Sequence, residues 1–359
     1  MKKMIEGFVY DPGYHCISTT LQNYFNYWGF NFTEAMAFGL DSSLGFCYRK
    51  HDVLTSIPAF YTGGRNYTWV DNICEVLELS HKRLFETNGE KAWQETKASI
   101  NNNIPVIVEL DKSKLDYWKG ILREVPFHMV LLVGYDDKHV WLGEVYDKKI
   151  NDKRQSNNLH VTSIDCVKKA RGADLYWGNT HNAQHIIDVP QNYKLRLKEA
   201  IYKAIKKNTL SYLKDTNEGS YRELQLFTNE LESWPEILPL KKFDSNRQSY
   251  VSPLRAQLII TGKMFDEVGT GGGNFRSLYS KYLYEVSKIF SNDHLLLKAA
   301  KMMHQSSLNW IEISKYFHYS SRLDHSGIFI QLLKVKKLLE ETVELEAKAF
   351  YLLEQWEGT

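Results

Sequence analysis

The sequence predicts an α+β amino-terminal domain followed by a mostly helical carboxy-terminal domain, and three observations predict it. First, 359 residues exceed the roughly 250–300 at which one hydrophobic core stops growing, so two domains are expected. Second, helical and strand periodicities alternate from Phe8 to about Tyr146. Third, from about Tyr193 onward the apolar residues keep the 3.6-residue helical period almost without interruption. The expected division is residues 1–190 and residues 191–359.

The elements follow in order. After the turn Asp11-Pro12-Gly13, the residues Leu21, Tyr24, Phe25 and Trp28 mark an amphipathic helix that starts near Cys16 and is stopped by Gly29. Thr33–Phe38 reads as a short helix. Helices around Val70–Leu77 and Glu90–Asn102 precede three strands, Pro105–Leu110, Met129–Gly134 and Val140–Val145, the last two joined by the turn Asp136-Asp137-Lys138. The polar run Lys148–Asn158 reads as an exposed loop, and Ile186–Pro190 as a strand. In the second domain, helices are expected over 195–212, 278–289, 295–310 and 328–356. The acidic stretch Glu340–Glu346 reads as a solvated helix face.

Charge and composition exclude several classes. Lys+Arg 45 against Asp+Glu 43 leaves a net charge of +2 with no long basic block, so nucleic acid is not expected as the main partner. Met1–Glu6 carries charges and breaks at Gly7, without the apolar core of a signal peptide. No run of about 18 apolar residues suggests a membrane span, so no membrane partner and a cytoplasmic location are expected. The cysteines Cys16, Cys47, Cys74 and Cys166 are widely spaced with no CxxC pair, which points to free thiols.

One of those thiols stands where a nucleophile would. Cys16 opens the first helix behind a Gly turn, and the unpaired N–H groups and positive dipole end of a helix start stabilise a thiolate. A cysteine nucleophile needs a base and an orienting group. His128 stands at the mouth of an apolar strand, where a polar side chain requires a partner. Alternation in the next strand puts Val140, Leu142 and Glu144 on one face, so Glu144 is the leading candidate to hold His128, with Asp147 in reserve. The run Gly269–Gly273 lacks the Lys-Ser/Thr of a nucleotide loop and reads as a tight helix start; a minority reading has Arg276 holding a phosphate. His181 and His185 have the four-residue spacing of helical metal ligands but lack the Glu of HExxH, so no metal is expected.

His15–Asn23 and the block Thr33–Phe46, with its helix, Phe38-Gly39-Leu40 and a Gly45-Phe46 turn, resemble the amino-terminal domain of the butirosin biosynthesis protein H family. Residues from about Tyr193 on, above all Gly269–Tyr279, resemble the carboxy-terminal partner domain of that family. The resemblance implies a papain-like fold and an amide-forming acyltransferase of antibiotic biosynthesis, related to a cysteine protease homologue of closthioamide assembly. It implies Cys16 as nucleophile and His128 as base. Related papain-like peptidases place an acid at the end of the next strand, usually Asp; here that position is Glu144. The upstream Gln that papain-like enzymes use for the oxyanion is absent from Phe8–Asp11, leaving the Cys16 N–H and the Tyr10 hydroxyl. The implied partners are an acyl or peptidyl carrier protein, whose phosphopantetheine bears the donor, and a small amine acceptor, an aminosugar or diamine. No cofactor of the enzyme's own is implied. The alternatives are a papain-like peptidase or amidase, and a catalytically silent module that binds a carrier protein.

Overall fold

The structure, a computed structural model, describes residues 2–51, 59–66, 70–120, 127–154, 156–175, 178–214, 219–244 and 249–358. The chain divides into two compact units, Met1–Ala37 with Trp69–Leu197, and Phe38–Thr68 with Lys198–Thr359. Fold class is α+β, with an antiparallel sheet in the first unit and a mostly helical second unit. The continuous division into 1–190 and 191–359 does not describe these units, because residues 38–68 join the second one.

The first unit is built on a seven-stranded sheet. Its order is Ser80–Leu84, Gln184–Asp188, Val106–Leu110, His128–Tyr135, His139–Gly143 and His160–Ser163, with Lys3–Met4 added against His128–Tyr135. Every residue of Val106–Leu110 is buried, as are His128–Gly134. Such unbroken burial belongs to strands covered on both faces, and the polar residues within them, Glu109 and His128, are paired. The first helix, Cys16–Tyr27, lies against this central strand, with the Thr20 hydroxyl directed at the Met129 carbonyl at 3.5 Å. Asp136 closes the turn to the next strand by accepting from the N–H groups of Lys138 and His139, at 2.7 and 2.6 Å. A bulge at Val133 separates the pairs Leu132↔Leu142 and Gly134↔Trp141. The extra residue sits in the longer strand, so the alternation of His139–Gly143 is undisturbed.

The run Lys148–Asn158 is not an exposed loop throughout. Ile150 is buried, and the Arg154 guanidinium donates to the carbonyls of Glu144 and Val145 at 3.1 and 2.8 Å. The segment folds back on the end of the strand it follows because those carbonyls, past the last ladder pair, need donors.

The second unit shows why residues 38–68 leave the first. The hairpin Leu44–Lys50 with Phe60–Arg65 carries Phe46, Tyr48 and Phe60. These aromatic rings need apolar cover and find it on the helices. Phe60 stacks on Trp234 at 4.8 Å, and Phe46 stacks on Trp310 at 5.4 Å. The Gln257 side chain pairs with both backbone groups of Phe60, at 3.0 and 2.8 Å, satisfying the open edge of that strand. Gly45-Phe46 is accordingly strand, not turn. The helices Leu197–Leu213, Arg276–Ile289, His294–Ser320 and His325–Gln355 match the predicted periodicity, the last two running longer than expected.

A buried ion pair ties these helices together and corrects two readings. Arg276 donates through Nε and Nη2 to Glu346 at 2.7 and 2.8 Å, and through Nη1 to the Gly64 and Asn274 carbonyls at 2.9 and 2.8 Å. Tyr212, Ser306 and Trp310 also donate to Glu346. Glu346 is therefore no part of a solvated face, and Arg276, wholly buried, has no edge left for a phosphate. Gly273, at φ +58°, permits the tight start of the Arg276 helix; a Cβ there would lie 2.4 Å from the Ser307 carbonyl oxygen. Replacing Glu346 by alanine should destabilise the protein by about 3–5 kcal/mol, because it strands a buried guanidinium. Denaturant unfolding followed at tryptophan checks this, and a loss under about 1 kcal/mol would contradict it.

Candidate active site

Cys16 is the first residue of its helix, and three local features place it. His15 caps the helix, its Nδ1 accepting from the Ser18 N–H at 3.4 Å. The Gly13 carbonyl accepts from the Tyr146 N–H at 2.6 Å, tying the turn before Cys16 to the chain just past Glu144. Asp11 is held along the helix by Asn23, whose side chain pairs with the Asp11 N–H and carbonyl at 2.7 and 2.8 Å. The thiol itself is half-buried.

His128 begins the central strand opposite Leu110. Its Nε2 donates to Glu144 Oε1 at 2.6 Å, and the Cys16 side chain acts on the same ring, favouring its protonation. With Nε2 directed at the carboxylate, Nδ1 is left for the sulfur. The structure thus pairs His128 with Glu144 and sets Cys16 near enough to act on the same ring. Asp147 stands apart, accepting from the Lys149 N–H at 2.9 Å in its own turn.

Glu144 is fully buried and well supplied with donors. Besides His128 it accepts from the Val145 N–H at 2.8 Å, Trp118 Nε1 at 3.2 Å and the Tyr117 hydroxyl at 3.4 Å. Burial works against its charge, but the His128 imidazolium, the indole N–H and the Lys112 ammonium outweigh it and hold the carboxyl down at about 2. For His128, burial and Lys112 oppose protonation, while Glu144 and Cys16 favour it and push the imidazole up to about 9. The pair is an imidazolium–carboxylate at neutral pH. Lys112 lies 4.6 Å over the Trp118 ring, which stacks a cation on the indole that serves Glu144.

Tyr10 is buried with its ring over Gly143, where a Cβ would lie 2.1 Å from the ring. Burial, and then the Glu144 charge, keep its phenol protonated, and it is also coupled to Cys16. The remaining thiols differ. Cys47 and Cys74 are buried, and Cys166 donates to Asp116 at 3.3 Å, with burial pushing its thiol up.

His181 and His185 do not form a pair. His185 lies in the strand Gln184–Asp188 and is spent on Glu109 at 2.9 Å and His81 at 3.0 Å, while His181 is an exposed turn residue at φ +47°. Asp71, His81, His185, Glu109 and Arg83 form one hydrogen-bonded chain. Leu110 pairs with His128, so Glu109, one residue earlier, points to the opposite face of the sheet. Among the described residues no group of three His, Cys, Asp or Glu side chains is placed to hold a metal. Among the described residues no helix is long and apolar enough to cross a membrane.

Trp118, Tyr117, Arg154 and Glu34 serve this site and were not singled out from sequence. Each acts across nine or more positions, beyond the reach of helix or strand spacing, so no local pattern announces it.

Residues 15–143 match the family model described as butirosin biosynthesis protein H, N-terminal, and residues 165–353 match a domain of unknown function, DUF4872. No curated protein matches the chain.

Proposed function

We propose, on the premise that residues 15–143 belong to the butirosin biosynthesis protein H amino-terminal family and residues 165–353 to the DUF4872 family, that this chain is a cysteine-dependent, papain-like acyltransferase of antibiotic biosynthesis that forms an amide. The observation that carries the reading is the relay of Cys16 to His128 to buried Glu144. An imidazolium beside the sulfur, at a helix start, favours the thiolate.

The steps balance on these three residues. The Cys16 thiolate adds to the carbonyl of a carrier-protein thioester, and the C–S bond to phosphopantetheine breaks as His128 protonates the departing sulfur. The acyl group is then held as a Cys16 thioester. A primary amine adds to that carbonyl, His128 takes its proton, and the Cys16 thiolate leaves, restoring the starting ion pair with the acyl group now on nitrogen. Glu144 keeps Nε2 engaged throughout, so that Nδ1 faces the sulfur. Tyr10, which burial and then the Glu144 charge keep protonated, is the candidate to join the Cys16 N–H in binding the oxyanion. The acceptor belongs to the primary amines, an aminosugar or a diamine, and the enzyme brings no cofactor of its own.

Incubation with an acylated carrier protein and no amine should leave a mass increase on Cys16 in the intact protein. Adding a primary amine should discharge it to an amide. Thioester hydrolysis as fast without amine as with it, and no amide, would replace this reading by a papain-like hydrolase. No adduct and no turnover would leave a module that only binds the carrier protein.

A further inference from the structure

The turn that delivers Cys16 is gripped by one side chain from the next helix. Glu34, in the first turn of Glu34–Leu40, accepts from the Tyr14 N–H at 2.9 and 3.0 Å and from the His15 N–H at 2.7 Å. It also accepts from the hydroxyls of Ser18 and Thr19 at 3.2 and 3.0 Å. A Cβ on Gly13 would meet the Thr19 hydroxyl first and lie 2.5 Å from the Glu34 carboxyl carbon, so a glycine at 13 leaves room for the bond between those two groups.

We propose that Glu34 is the positioning residue of the nucleophile: it clamps the backbone of residues 13–15 to the first turn of the Cys16 helix and so fixes the sulfur against His128. The proposal rests on the reading of Cys16 as nucleophile. Four donors converge on Oε1, and hydrogen bonds to an ionised acceptor are roughly twice as strong as neutral ones. The Tyr146 N–H holds the same turn from its other side through the Gly13 carbonyl, so the turn is fixed between Glu34 and the segment that follows Glu144. The N–H groups of Tyr14 and His15, turned onto Glu34, are thereby committed to the turn and are not oxyanion donors. A misplacement of about 1 Å at a reacting atom costs on the order of 10²-fold in rate.

The test compares Glu34→Ala, Glu34→Gln and Thr19→Val in the full-length protein, reading kcat and KM for acyl transfer and, separately, the rate of Cys16 alkylation by iodoacetamide at fixed pH. Glu34→Ala should lower kcat by about 30-fold or more with KM within about threefold, and slow Cys16 alkylation about tenfold. Glu34→Gln keeps an oxygen for the converging donors and should restore kcat to within about fivefold of the parent. Thr19→Val, which removes one donor without changing shape, should cost about three- to tenfold in kcat alone, and it carries the test if Glu34→Ala does not fold. Unchanged kcat and alkylation in folded Glu34→Ala, or in Thr19→Val, would overturn the proposal, as would Glu34→Gln failing as badly as Glu34→Ala. The alkylation arm uses no acyl donor, so it can fail or succeed independently of the acyltransferase reading.

Discussion

Cys16→Ala is expected to abolish acyl transfer, with a loss of about 10³-fold or more, while Cys47→Ala, Cys74→Ala and Cys166→Ala retain it. The difference follows from where each sulfur stands. Cys16 is half-buried at a helix start and acts on the ring of His128, whose pKa is raised. Cys47 and Cys74 are enclosed, and the Cys166 thiol is pushed up by burial and by Asp116. Iodoacetamide at mildly acidic pH should therefore mark Cys16 first, as peptide mapping would show. Preferential labelling of another cysteine, or an active Cys16→Ala protein, would remove Cys16 from the mechanism.

Glu144→Gln is expected to produce the second largest effect, on the order of 10²- to 10⁴-fold in kcat/KM at pH 8. In the parent, His128 stays protonated up to about 9 because the Glu144 charge overcomes burial. The alkaline limb of kcat/KM should then fall near pH 9. With glutamine at 144 the carboxylate charge is gone, burial and Lys112 still lower the ring's pKa and Cys16 alone still raises it, so the limb should move to clearly lower pH. Stability carries the same sign. The raised pKa of His128 contributes stability that is complete below about pH 6.5 and lost as pH rises through about 9. The lowered pKa of Glu144 contributes stability present above about pH 4.5 and lost as pH falls through about 2. The pair is thus fully stabilising between about pH 4.5 and 6.5, and chemical denaturation across pH should show Glu144→Gln losing most in that window. A Glu144→Gln limb still near pH 9 would contradict the assignment, as would Asp147→Ala proving the more damaging change.

The legible part of the site was carried by short-range signals. Cys16 could be read because a Gly turn and an apolar stripe locate a helix start within a few residues. His128 could be read because a histidine opening the run Met129–Gly134 breaks an apolar pattern, and Glu144 because alternation in one strand fixes its face. The bulge that would have misdirected that alternation falls at Val133, in the neighbouring strand. Expectation failed where a residue is paired beyond the one to four positions that local spacing reads. Glu346 belongs to an acidic run that locally reads as solvent-facing, yet its partner is Arg276, seventy positions away. Arg154 lies in a polar stretch that reads as exposed, yet it donates to the carbonyls at the end of a strand. The hairpin of residues 44–65 follows the first helices in sequence but takes its cover from aromatic residues beyond position 220.

By itself, then, the sequence determined the α+β and helical halves, the helix start at Cys16, the strand that begins at His128 and the strand that ends just before Glu144. Periodicity, turn residues and helix ends act through neighbours one to four positions apart, and a single chain displays them in full. Only the tertiary structure decided that residues 38–68 join the second unit, that Trp118 and Tyr117 hold the Glu144 carboxylate, that Glu34 grips the turn before Cys16, and that Arg276 and Glu346 are spent on each other. Each of these is a buried or half-buried polar or aromatic group whose desolvation must be offset by a partner, and which partner arrives is set by strand order and helix packing across tens to hundreds of residues.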